Sequence, residues 1–272
     1  AMPILNKSNF SEIEIELPNR KEQDKVVNIL SNIDKKIEIN NKNILNFEKL
    51  AIKLFKRWFI DFEFPVKNKK TYKSSNGKMK LCNNREIPED WKICSLGEFF
   101  EVITGKKDAN ASTENGKYPF FTCSQTISKT DEYSFDGNAI LLAGNGDFNV
   151  KFYRGKFEAY QRTYVLMPEN PEYLGFLYQT IKYYLDDITS DSRGSVIKFI
   201  TKGNIENYKI IVPDNKNEKL IKYFNKFLIQ IEELQKENEK LTILRNTIMP
   251  KLIKEWLENV KKRRKLCLKN NN

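Results

Sequence analysis

The sequence predicts an α+β fold in which one globular mixed α/β domain is flanked by two long helices forming an antiparallel coiled coil. Three observations carry that prediction. Two heptad runs stand 194 residues apart, a short prelude of matching sequence precedes each run, and the stretch between them is a series of short strand-like segments.

Residues 1–18 read as a terminal strand and turn, with Ile13, Ile15 and Leu17 alternating before Pro18. Ala1 before Met2 looks like the scar of a cleaved tag, which would put the natural start at Met2. The opening lacks the basic-then-apolar order of a secretory signal. Residues 19–64 hold the first long helix, roughly Lys21 to Phe59. Its seam is Val26, Leu30, Ile33, Ile37, Asn40, Ile44, Phe47, Ala51, Leu54 and Trp58, spaced alternately by four and three, and nine of these ten are apolar. So narrow a stripe is a coiled-coil seam rather than the broad face of a core helix.

Residues 65–87 read as a basic linker rich in Lys, Asn and Ser. The domain of residues 88–212 opens at Ile87-Pro88 and Trp91, then Leu96-Gly97. Phe99–Ile103, Tyr118–Thr122, Ala139–Ala143, Asn149–Tyr153 and Thr163–Met167 are β-like runs between Gly, Asn and Asp turns. Pro171 to Leu185 has helical length and one apolar face. Val196–Ile200 and Tyr208–Val212 close the domain with strand character.

Residues 213–254 repeat the heptad: Leu220, Phe224, Phe227, Ile231, Leu234, Asn238, Leu241, Arg245, Ile248 and Leu252, eight of ten apolar. Pro250 lacks a helix donor, which predicts a kink or an end near Met249. The preludes match at an offset of 195: Lys7-Ser8-Asn9-Phe10 with Lys202-Gly203-Asn204-Ile205, each leading to a short strand and a proline. If the domain's two ends lie close together, the helices run antiparallel within one chain. Pairing Val26 with Leu252 and Trp58 with Leu220 makes every pair of residue numbers add to 278, and Asn40 then faces Asn238. Facing amides can fix register; the alternative is a loose, hydrated seam. A basic tail, 255–272, peaks at Lys261-Lys262-Arg263-Arg264-Lys265.

The net charge is +11, and it is unevenly spread. Residues 65–87 carry 7 positive and 1 negative side chains and residues 213–272 carry 15 and 8, whereas the domain 88–212 carries 14 and 17. The surplus therefore lies in linker and tail, and a DNA-binding domain would need a local cluster of cations. There is no histidine, which removes Ser-His-Asp hydrolysis, Cys-His proteolysis and histidine metal sites. Cys82, Cys94, Cys123 and Cys267 show no Cys-x-x-Cys spacing; they read as reduced thiols of a soluble cytoplasmic protein, and no apolar run approaches a membrane span.

Catalytic motifs are missing. Gly144-Asn145-Gly146-Asp147 is not followed by a helix pattern and reads as a tight turn rather than a phosphate cradle. Asp186, Asp187 and Asp191 could hold a cation but read better as a solvated helix end. No catalytic residue, metal ligand or cofactor is assigned. The turns do carry side chains that read base edges or phosphates: Lys106, Lys107, Ser124, Gln125, Asn145, Asn149, Arg154, Gln161, Arg162, Arg193 and Lys198. Arginine suits guanine, and asparagine and glutamine suit adenine.

In this order, the repeated strand–proline–helix units resemble the specificity subunit of type I restriction-modification systems, over nearly the whole chain. Further carriers are Ile87-Pro88 with Trp91, Leu96-Gly97, Thr104-Gly105-Lys106, Arg193-Gly194-Ser195 and Leu244-Arg245 through Met249-Pro250-Lys251-Leu252-Ile253. The resemblance implies a target recognition domain at 88–212 that reads one half of a split site in double-stranded DNA, and helices that space two such domains. It also implies methyltransferase and restriction subunits as partners, with S-adenosylmethionine, Mg and ATP belonging to those partners. The chain departs from the family in holding one recognition domain, so it reads as a truncated form or as a natural half-subunit that would pair as a homodimer. A coiled-coil adaptor whose middle domain binds protein rather than DNA is the competing reading, favoured by the acidic balance of residues 88–212.

Overall fold

The computed structural model describes residues 6–13, 17–190, 199–214 and 217–270. The chain divides into two compact units, one of residues 1–45 with 232–272 and one of residues 46–231.

The first unit is helical. A one-turn helix α1 (Lys7–Ser11) is capped by Asn6, whose side chain accepts from Asn9 N at 2.8 Å. Helix α2 (Arg20–Phe55) starts at a reciprocal cap: Asn19 Oδ1 accepts from Glu22 N at 3.0 Å, and Glu22 Oε2 accepts from Asn19 N at 3.3 Å. That pairing satisfies two of the donors a helix start leaves free. The last helix, α7 (Asn225–Asn270), runs through Pro250 without ending, so of the kink or end expected near Met249 the end does not occur. The ring removes one donor, and the rest of the ladder carries the helix on.

Cross-helix bonds set the direction of pairing. Asn40 Nδ2 donates to Asn238 Oδ1 at 2.9 Å and to Glu237 Oε2 at 2.8 Å, and Asn238 Nδ2 donates to Asn41 Oδ1 at 2.8 Å. Arg245 Nη1 meets Asp34 at 3.0 Å. Low numbers meet high numbers, so the helices are antiparallel. The polar seam residue Arg245 is accommodated by turning its charge onto Asp34 beside the seam.

In the second unit α2 gives way to a π-turn over Lys56–Ile60. Phe59 there stacks near Phe55 (5.2 Å), Phe176 (4.8 Å) and Trp91 (5.4 Å). The segment 65–87, expected as a linker, is structured. Phe64 stacks on Tyr72 at 4.6 Å and on Trp91 at 4.9 Å, and a hairpin forms from β1 (Met79–Cys82) and β2 (Arg85–Pro88). Aromatic burial orders a stretch whose composition looks polar.

Strand β3 (Lys92–Ser95) pairs antiparallel with the last strand, β10 (Lys209–Val212), with Lys92 opposite Val212. Leu96–Glu98 is a 3₁₀ turn, so the strand expected at Phe99 begins later, as β4 (Val102–Thr104). Then come β5 (Tyr118–Phe121), β6 (Ser128–Thr130), β7 (Phe135–Ala143), β8 (Val150–Ala159) and β9 (Thr163–Leu166), in the sheet order β4-β9-β7-β8-β5-β6. Every neighbour pair is antiparallel except β5 with β8. In β7, Ile140 and Leu142 join the larger core while Ala139 and Leu141 join a second cluster with Phe121, Phe157 and Val165. Both faces are covered, which is why this strand reads as an unbroken apolar run. Gly137 (φ +150°) faces Gly155 (φ +124°) across β7 and β8, just before β8 takes up its parallel partner. Only glycine holds such angles without strain.

The helices α3 (Leu174–Tyr183) and α4 (Leu185–Ile188) follow a turn at Pro171–Tyr173. Next is α5 (Lys202–Glu206), capped by Thr201 at the position equivalent to Asn6 under the 195-residue offset. The C-caps Glu12 and Asn207 share nearly the same angles, φ −86° ψ −4° and φ −84° ψ −5°. Each expected polar turn is thus a short capped helix. The expected strand at residues 13–17 lies partly outside the described residues, as does that at 196–200. Finally α6 (Glu218–Tyr223) leads into α7, with Leu220, Phe224 and Leu228 in the core. Seam residues of both heptad runs are buried or half-buried throughout.

Candidate nucleic-acid interface

Four loops of the sheet are bonded into one cluster: residues 105–108 after β4, 122–127 after β5, 144–149 between β7 and β8, and 160–162 between β8 and β9. Gly105 N donates to Thr163 O (3.1 Å), Gly144 N to Arg162 O (2.8 Å), Gln161 N to Lys107 O (2.9 Å) and Tyr160 N to Phe121 O (2.9 Å). The approach is close. A Cβ on Gly105 would stand 2.1 Å from Ala159 O, and one on Gly144 would stand 2.6 Å from Arg162 O. Glycine at these two places lets main chain meet main chain. Ile200 N donates to Gly144 O at 3.0 Å, which brings a fifth segment to the same place.

Side chains complete the bracing. Asn149 is buried, and its Nδ2 donates to both Cys123 O and Asp147 O at 2.9 Å. Lys151 Nζ donates to Ser124 O at 2.7 Å and to Asn149 Oδ1. Burial lowers the Lys151 pKa, since the charged form gives up water. Cys123 Sγ donates to Arg162 O at 3.4 Å.

Of the residues singled out from sequence, Lys106, Lys107, Ser124, Gln125, Asn145, Gln161 and Arg162 stand on these loops, all exposed or half-exposed. Asn149 is on the same loops but spends its amide inside the cluster. Arg154 lies apart, in the middle of β8 opposite Asn138. Arg193 and Lys198 lie outside the described residues. The segment Gly144–Asp147 joins two strands and Gly146 has φ +73°, so it is a tight turn and not a cradle at a helix start. Asp187 accepts from Tyr208 Oη at 3.3 Å, and Asp191 lies outside the described residues. Among the described residues there is no group of three acidic, Cys or His side chains fit to hold a metal.

Several partners were not singled out from sequence. Lys107 Nζ pairs with Glu132 at 2.5 Å; hydrogen bonding to Glu132 raises the lysine pKa and the same bond lowers that of the glutamate. Gln125 Nε2 donates to Asp147 Oδ2 at 2.7 Å, and Gln161 Nε2 to Asp108 Oδ1 at 2.6 Å. Each aspartate stands on a different loop from the glutamine it holds, 22 residues away for Gln125 and Asp147 and 53 for Gln161 and Asp108, so sequence alone does not pair them. Nothing local in sequence ties Lys107 to Glu132, because that pair depends on the sheet. The cluster can therefore present amide, guanidinium and ammonium donors on a rigid base.

The family profile described as type I restriction modification DNA specificity domain matches residues 1–49 and 88–242. The type I restriction enzyme EcoDI specificity subunit of Escherichia coli is 39% identical over 181 residues, covering 63% of this chain and 40% of that protein. The MjaIX specificity subunit of Methanocaldococcus jannaschii is 27% identical over 282 residues, covering 92% of this chain and 62% of that protein. Among solved structures, the S subunit of a type I restriction-modification system from M. genitalium superposes with a TM-score of 0.63 at 21% identity, over 91% of this chain and 65% of that one. Its likeness is one of fold, and this chain spans less than two thirds of each of these relatives. With the strands of a sheet following one long helix and preceding another along the chain, and with the profile matching both helical and sheet regions, the chain belongs to the type I restriction modification DNA specificity family.

Proposed function

We propose that this chain is a non-catalytic subunit that recognises a DNA sequence with the loop cluster of its sheet domain. The observation that carries the reading is the convergence of Lys106, Lys107, Ser124, Gln125, Asn145, Gln161 and Arg162 from four loops braced by main-chain bonds. Rigid loops hold donors at fixed spacing, which base-edge readout needs. Arg154, Arg193 and Lys198 supply backbone contacts in this reading, and Asn149 acts as a brace. The domain reads one half of a split site, and the paired helices dock methyltransferase and restriction subunits and space two domains. A second domain comes from a longer form of the protein or from another copy of the chain. S-adenosylmethionine, Mg and ATP act in the partner subunits.

Binding of the full chain to random and to selected duplexes across a salt series tests this. Phosphate contacts make log affinity fall linearly with log salt, and a selected duplex should bind more tightly than the pool at every salt concentration. The acidic balance of residues 88–212 favours the competing adaptor reading. Absence of a selected sequence together with flat salt dependence would decide for it.

A further inference from the structure

Gln125 and Gln161 share an arrangement that DNA recognition alone leaves unexplained. Each amide nitrogen donates to an aspartate, Gln125 to Asp147 at 2.7 Å and Gln161 to Asp108 at 2.6 Å. An ionised carboxylate only accepts hydrogen bonds, so the amide nitrogen must face it. That fixes which way round each amide stands, a choice an isolated glutamine leaves open. One N–H is spent on the aspartate; the other N–H and the carbonyl oxygen remain. Those two groups are the donor and acceptor that grip adenine at N7 and N6.

The main chain is held as well. Gln161 N donates to Lys107 O at 2.9 Å, next to Asp108. The turn carrying Gln125 is tied through Asn149 to Cys123 O and through Lys151 to Ser124 O. Gln161 is thus held at its own main chain and at its tip, and Gln125 at its tip and through the two residues before it, so little freedom is left to lose on binding. The carboxylates also repel phosphate, which keeps these amides for bases. Lys107 with Glu132 is the instructive contrast: an ammonium has three equivalent donors and no orientation to set.

We propose that Asp147 and Asp108 are positioning residues that set the amide orientation of Gln125 and Gln161 for reading adenine edges in DNA. The proposal rests on the DNA-recognition reading above and names how two positions of the site are specified. A turned-over amide would set its acceptor against N7 and its donor against the N6 amino group, and the adenine preference would be lost.

The test is selection of the full chain and its variants from a random duplex pool, scored base by base. Asp147→Asn should lose about tenfold of the adenine preference at one position, and Asp108→Asn the same at another. Affinity for unselected duplex should hold or rise. Gln125→Ala should abolish the preference at the position Asp147→Asn affects, and adding Asp147→Asn to Gln125→Ala should change nothing further there, because the aspartate acts through the glutamine. Thermal midpoints matching the wild type would show that the exposed substitutions leave the fold intact. Unchanged preferences in both aspartate variants, or an even loss at all positions, would overturn the proposal. If the wild-type chain selects no sequence, the DNA-recognition reading itself fails.

Discussion

Asn40 has no solvent exposure, yet its Oδ1 finds no partner among the described residues while its Nδ2 serves two acceptors, on Asn238 and Glu237. That hydrogen bond also lowers the Glu237 pKa. Removing the donor leaves two acceptors facing an apolar group. Asn40→Leu should therefore destabilise by about 1–3 kcal/mol, toward the lower end because Asn238 and Glu237 are partly solvated. Changing both asparagines to Leu should recover most of that loss while weakening the choice of register. A double-mutant cycle on thermal unfolding checks this, and additive effects would mean that the two sites do not speak to each other.

At the level of single elements, the turn Leu96–Glu98 shows a pH-sensitive cap. The Ser95 N–H, at 2.8 Å, and its hydroxyl, at 3.0 Å, both donate to Glu98 Oε1 and hold the carboxyl below its usual pKa. A depressed folded pKa means that this stabilisation is complete above the unfolded carboxyl value, about 4.3, and is lost as pH falls through the folded one. Glu98→Gln keeps the capping bond and removes the titration. The drop in thermal midpoint between pH 7 and pH 3 should be smaller for the variant; an equal drop would remove Glu98 as a contributor. The long helices and β7 were legible in sequence because a heptad or an apolar run repeats over many residues. The hairpin β1–β2 and strand β3 were not. Their order comes from Phe64, Tyr72 and Trp91 packing across a Lys- and Asn-rich segment, and no local periodicity records a stack between residues so far apart. The candidate site was half legible for the same reason: turn residues announce themselves, while the carboxylates that hold them are found only when the strands are paired.

Across the whole molecule, stabilising contacts are divided between the two compact units. Every buried member of the larger core, from Phe55 to Leu228, falls within residues 46–231. A chain restricted to those residues should unfold in one cooperative transition and keep its near-ultraviolet circular dichroism; a gradual loss of signal would show that the outer helices are needed. The pairing of β3 with β10 has a further consequence. Lys92 and Val212 are Cα partners, so the chain enters and leaves the sheet domain at one spot. In genetic terms the stretch between them is a cassette. A crossover on either side exchanges the sheet with all its loops and leaves the flanking helices in frame, so the chemistry of the loops can be inherited as a block rather than altered codon by codon.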